Sequence, residues 1–183
     1  MTRPYARRQA LILGGGLALS GLTAARAQEG GPMARLKALG IELPRLSPPL
    51  GTYAPYARDG RLLFISGQLP MLNGKPMAVG RVPTDVAVEA AQAAARQCAI
   101  NILAAATLGL DGDLGKIESC LKVTGYVACE PGFGDQPKII NGASDLIGAV
   151  FGEKGRHARA AVGVASLPLN ATVEVDAVFA LRS

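Results

Sequence analysis

Thr84 to Ala128 reads TDVAVEAAQAAARQCAINILAAATLGLDGDLGKIESCLKVTGYVA, and this stretch decides the fold. Alanine fills most of its first half. Ala87, Ala91, Ala94, Cys98, Ile102 and Ala105 recur at helical spacing, so a helix is predicted from a Thr84-Asp85 cap to about Leu108. A stripe of such small side chains suits a helix lying close on a sheet. Gly109, Gly112 and Gly115 end the helix and lead into a predicted strand, Ile117 to Ala128.

The same reading extends outward. Downstream, a loop with Pro131 and Gly132 precedes a second helix from about Pro137 to Phe151. Two strands follow, Ala160 to Ala165 and Thr172 to Leu181, separated by Leu167-Pro168-Leu169-Asn170. Upstream, Met33 to Leu39 reads as a short helix and Pro44 to Gly51 as an extended stretch. Strands are expected around Tyr53–Ala57 and Leu62–Ser66, joined by the turn signal Asp59-Gly60. Asn73-Gly74 marks a second tight turn in a hairpin arm reaching to about Val82. This order gives an α/β (α+β) class, a mixed sheet with two long helices packed on one face.

The chain of 183 residues is 49% apolar and 18% charged, which suits one globular domain and excludes a disordered chain. Its formal charge of +5 is concentrated at the start. Arg3, Arg7, Arg8 and Arg26 fall in the first 27 residues and no acid does; the remainder carries 15 basic against 14 acidic residues. That balance is a poor footprint for nucleic acid. The basic start, the 13 uncharged residues Ala10 to Leu22 and the Ala25-Arg26-Ala27 end read as an export signal, too short to span a bilayer. Arg7-Arg8 resembles a twin-arginine signal, with a Sec signal as the alternative. The expected organisation is a signal peptide over 1–27, an extension with a short helix over 28–50 and the folded domain over 51–183. The mature protein is then periplasmic or otherwise exported, without stable membrane insertion.

Three cysteines cannot make a complete disulfide framework. Cys120 and Cys129 flank one predicted strand about 30 Å apart, beyond bonding reach, so all three read as buried small hydrophobes. No nucleotide loop, GxSxG or HExxH pattern occurs, and a single histidine offers no zinc constellation. That histidine, His157, sits in Glu153-Lys154-Gly155-Arg156-His157 and reads as part of a solvated loop. What remains is Arg159 entering a strand, on one face with Ala161, Gly163 and Ala165, and two acids on the last strand, Glu174 and Asp176, facing away from the core. The acids could belong to an ordinary solvated sheet face. Alternatively, Arg159 could grip a carboxylate by a fork of two parallel bonds while a nearby Glu handles a water.

The same residues carry a resemblance. Gly51-Thr52-Tyr53 with Leu63-Phe64-Ile65-Ser66-Gly67-Gln68-Leu69-Pro70, and Ala158-Arg159-Ala160-Ala161-Val162 with Ala165-Ser166-Leu167-Pro168 and Val173-Glu174-Val175-Asp176-Ala177, resemble the two signatures of the RidA (YjgF/YER057c/UK114) family. The similarity runs from about Gly51 to Leu181. The sequence differs from the usual family pattern at Thr52, His157 and Ala161; the leading helix Met33–Leu39 and the stretch from Leu167 to Val175 point to a divergent branch, and the leader to an exported one. The resemblance implies a chorismate-mutase-like fold and a homotrimer with clefts between subunits. It also implies hydrolytic deamination of small reactive 2-imino and 2-enamino acids to 2-oxo acids and ammonia. Carried over, Arg159 would clamp the substrate carboxylate and Glu174 would position the attacking water. Tyr53, Asn141 and Ala161 would line the cleft, and Gly67 would offer its backbone. No metal or organic cofactor is implied. The alternatives are a non-catalytic trimer that binds small carboxylates or serves in interactions, and, less favoured, an endoribonuclease.

Overall fold

The computed structural model describes residues 30–46 and 51–183; the expected signal peptide lies outside the described residues. Helix α1 (Pro32–Ala38) comes first, then strands β1 (Tyr56–Asp59), β2 (Leu62–Gln68), β3 (Met71–Leu72) and β4 (Lys75–Pro76). Helix α2 (Val88–Gly109), strand β5 (Ile117–Ala128), helix α3 (Gln136–Phe151), strand β6 (Ala158–Val164) and strand β7 (Val173–Leu181) complete the order. The main sheet runs β1-β2-β7-β5-β6, antiparallel except for the parallel β5–β6 pair. The helix between β5 and β6 supplies the crossover that a parallel pair requires. The mixed sheet and its helical layer are as the periodicity predicts.

The small stripe of α2 explains its packing. Ala91, Ala94, Cys98, Ile102 and Ala105 are fully buried. At Gly142 of α3, a Cβ would meet the backbone oxygen of Gln92, so α2 and α3 touch backbone to backbone. A Cβ on Gly125 would run into the Ile140 side chain, which packs directly on the β5 backbone at that point. The large buried side chains of α3, Ile139, Ile140 and Ile147, fill the layer between helix and sheet; each such burial contributes about 1.5–3 kcal/mol. In the same layer the rings of Phe151 and Phe179 lie 5.8 Å apart. Helix α1 joins this body through Leu36, which is buried in the core, and through Arg35, whose Nη1 donates to the Val150 carbonyl at 3.2 Å.

Several expected boundaries move, among them β6, which starts at Ala158 and not Ala160, and three of the shifts have a clear local reason. Helix α2 starts at Val88, because Asp85 instead closes a turn, its Oδ2 accepting the Arg81 N–H at 2.8 Å, and Ala87 is still extended. Strand β1 begins at Tyr56 rather than Tyr53: Pro55 has no N–H to give a ladder, and Tyr53 stays in a bend ahead of it. The hairpin arm is two residues deep on each side of Asn73-Gly74, both at positive φ, with one further backbone bond from the Met77 N–H to the Pro70 carbonyl at 2.9 Å. The three cysteines are buried and free.

Candidate functional site

Strand β6 is an edge strand, and its pairing with β5 places Arg159 opposite Val123 and Ala161 opposite Gly125. Val123 and Gly125 face α3, so Arg159 and Ala161 lie on the helical side of the sheet. There, two α3 residues one turn apart hold the guanidinium. Arg159 Nη1 donates to Asn141 Oδ1 at 2.8 Å and to Ser144 Oγ at 3.1 Å. Both Nη1 hydrogens are thereby engaged by neutral acceptors. Among the described residues no carboxylate pairs with Arg159, and the residue is exposed. The side-on edge, Nε and Nη2, is left to receive a carboxylate in two parallel bonds.

Glu174 lies elsewhere. On β7, Val173, Val175, Ala177 and Phe179 are buried toward the helices, so Glu174 and Asp176 face the other side of the sheet. Register confirms it: Glu174 pairs with Tyr126 and Asp176 with Thr124, the β5 residues that alternate with Val123, Gly125 and Val127. The expected partners Arg159 and Glu174 are therefore separated by the sheet within one chain. Gly67 sits in the irregular end of β2, between Ile65 and Gln68, and a Cβ there would collide with the Glu174 carboxylate. Only glycine leaves that space. Tyr126 donates to Asp176 Oδ2 at 3.2 Å. Burial, with the Asp176 charge added, pushes the Glu174 carboxyl above the usual carboxylate range. Burial and the Asp176 charge likewise push the Tyr126 phenol up.

The expected site residues thus form two groups. Arg159, Asn141 and Ala161 share the helical side at the β6 edge, while Glu174 and Gly67 share the opposite face. Tyr53 is 52% exposed in the bend before β1, and no described contact ties it to either group. Two neighbours of Arg159 were not anticipated. Ser144 Oγ lies 3.0 Å from His157 Nε2, and His157 Nδ1 lies 2.6 Å from the Gly155 carbonyl. His157 is half-buried and bonded on both ring nitrogens, which corrects its reading as part of a solvated loop. The available signal was strand alternation, since 157, 159 and 161 share a face, together with the i, i+3 spacing of Asn141 and Ser144. Among the described residues no cluster of metal-ligating side chains occurs, and no helix is long and apolar enough to cross a membrane.

Comparison with known proteins supports the fold. The family model described as "YjgF/chorismate mutase-like, putative endoribonuclease" matches residues 33–181. The protein TCP17 of Trypanosoma cruzi is 43% identical over 82% of this chain and 94% of its own length. A crystal structure of a protein of unknown function from Agrobacterium tumefaciens is 48% identical, with a TM-score of 0.77 over 88% of this chain and 99% of that one. A structure titled "putative endoribonuclease" from Shewanella oneidensis is 35% identical, with a TM-score of 0.80 over 83% and 100% of the two chains.

Proposed function

The chain belongs to the YjgF/chorismate mutase-like family, to which RidA also belongs, and on that premise we propose that it hydrolyses small reactive 2-imino and 2-enamino acids to 2-oxo acids and ammonia. The observation that carries this reading is Arg159: an exposed guanidinium, unpaired with any described carboxylate, and tied on one side by Asn141 and Ser144 so that its other edge is presented outward. A 2-iminium carboxylate docked there holds its C=N carbon next to the clamp. Water adds to that carbon as Glu174 takes its proton. Glu174 returns that proton to the carbinolamine nitrogen and takes the hydroxyl hydrogen as the C–N bond breaks, so ammonia departs and a 2-oxo acid remains. An enamine enters the same route after protonation at carbon. A carboxyl raised by burial is the stronger base near neutral pH, which suits Glu174 to this role.

Because Arg159 and Glu174 face opposite sides of one sheet, a site using both takes Arg159 from one subunit and Glu174 from another. A homotrimer with inter-subunit clefts meets that need. The face around Glu174 suits an assembly contact: Leu62, Phe64 and Val162 are 37%, 42% and 43% exposed there, flanking Tyr126 and Asp176. Export of the mature chain beyond about Ala27 belongs to the same proposal, motivated by the basic and apolar leader.

The test uses 2-aminoacrylate or 2-iminobutyrate generated in situ, with semicarbazide trapping imine that escapes. Faster loss of trapped imine with the wild type than with Arg159→Ala is the expected result. Equal rates across several imino acids would leave the carboxylate-binding trimer as the better reading. The names of the matched family and of the Shewanella structure invite a ribonuclease arm, for which the near-neutral charge after residue 27 gives poor support.

A further inference from the structure

We propose that Ser144 and His157 are positioning residues that hold Arg159 with its Nε–Nη2 edge toward a carboxylate, an inference whose kinetic consequence rests on the function proposed above. The chain of bonds has a direction. The Gly155 carbonyl can only accept, so His157 Nδ1, 2.6 Å away, carries a hydrogen. In the neutral ring Nε2 then accepts, and the Ser144 hydroxyl, 3.0 Å away, donates to it. With its hydrogen committed to the imidazole, Ser144 Oγ turns a lone pair toward Arg159 Nη1 at 3.1 Å.

A serine inside a helix otherwise tends to turn its hydroxyl back to its own helix's carbonyl four residues earlier, here that of Ile140. The imidazole supplies a competing acceptor that draws the hydroxyl out of the helix. Its anchor is fixed in turn. Gly155 is buried against the end of α3, where a Cβ would stand 2.6 Å from the Ile147 carbonyl oxygen. Backbone packing thus reaches the guanidinium through one imidazole and one hydroxyl. Asn141 holds the other Nη1 hydrogen at 2.8 Å, so the guanidinium plane is set from two points on α3. Holding a long, flexible side chain in its bound geometry strengthens binding by removing an ordering cost.

His157 is the sole histidine of the chain, so the ¹⁵N spectrum of tag-free protein reports a single imidazole. In the neutral ring, a protonated Nδ1 and an accepting Nε2 are expected. Ser144→Ala should shift the Nε2 signal, and Ser144→Thr, which keeps the hydroxyl, should not. By calorimetry with 2-oxobutyrate, Ser144→Ala and His157→Ala should each weaken binding about tenfold, while Ser144→Thr stays within about twofold. In imine hydrolysis KM should rise by the same factor with kcat nearly unchanged. Melting temperatures identify any variant that fails to fold, and the wild-type spectrum stands whatever the variants do. A hydrogen on Nε2 of the neutral ring, unchanged affinity in both alanine variants, or a fall in kcat at constant KM would overturn the proposal. So would absence of 2-oxobutyrate binding by the wild type. Binding that depends on Arg159 and Ser144 without any imine turnover would retain the proposal and reject the enzymatic reading.

Discussion

The two faces of the sheet hold charge in opposite ways. At the β6 edge, on the helical side, one exposed cation is held by neutral groups of a neighbouring helix. Across the sheet, two acids and a phenol stand together, and partial burial disfavours the charged forms of Glu174 and Tyr126. In the proposed reaction the first region would receive the anion and the second would exchange the proton. The strands that carry them are separated by β5 and face away from each other, so neither region completes the other within one chain. A reaction that used both would therefore need a second chain.

The largest expected effect falls on the cationic side. Arg159→Ala should lower imine kcat/KM by at least about 100-fold, because a bidentate charged contact is lost outright. Arg159→Lys should recover little, since a point charge does not reproduce the fork. Retention of turnover in Arg159→Ala would break the division of labour between the faces. On the acidic side, Gly67→Ala is the selective probe. Its Cβ meets the movable end of Glu174 rather than backbone, so the fold should persist while the carboxylate is displaced. A fall of about tenfold in kcat, with Tm little changed, is expected from losing a positioned base.

Gly125→Ala perturbs the helical side alone. The new methyl collides with Ile140, next to Asn141, and should cost about 1–3 kcal/mol by denaturant unfolding, as overpacking does. An unchanged midpoint would show that α3 is not held as closely on β5 as the geometry states. The smallest effect concerns pH. A carboxyl raised in the fold binds protons more tightly there than in the unfolded chain. Its stability contribution is present below the ordinary carboxylate pKa and is lost as pH rises through the raised value. Asp176→Asn removes the repelling charge, so this loss should shrink in melts between weakly acidic and neutral pH. The acid limb of kcat/KM should move to lower pH as well. A limb that does not move would separate Glu174 from the proton transfer.

Much of this layout is legible in the sequence. Strand β5 runs from Ile117 to Ala128 as its alternation predicts, and α3 begins within one residue of its expected start, because both are decided by their own apolar patterns. Arg159 stands out as a cation facing a run of small side chains. Local contacts that override propensity are harder to see: Asp85 serves a turn rather than the helix start, and Pro55 delays β1. His157 was hidden by the charges around it. In the fold, Lys154 pairs with Glu118 and Arg156 with Glu153, while Gly155 buries, leaving the imidazole turned toward α3. Alternation assigns faces within each strand. Which face of β6 matches which face of β7 is fixed only by their separate registers with β5, which is why the separation of Arg159 from Glu174 emerges in three dimensions.

The most direct measurement mixes two inactive chains. Arg159→Ala and Glu174→Gln, each purified, would be co-refolded in equal amounts and assayed for imine hydrolysis against each variant refolded alone. In a cyclic trimer that draws the two residues from neighbouring subunits, random mixing restores both in about a quarter of the clefts, and a comparable share of wild-type activity should return. If the mixture stays as inactive as its components, although native mass spectrometry shows mixed assemblies, Arg159 and Glu174 do not meet across a subunit boundary.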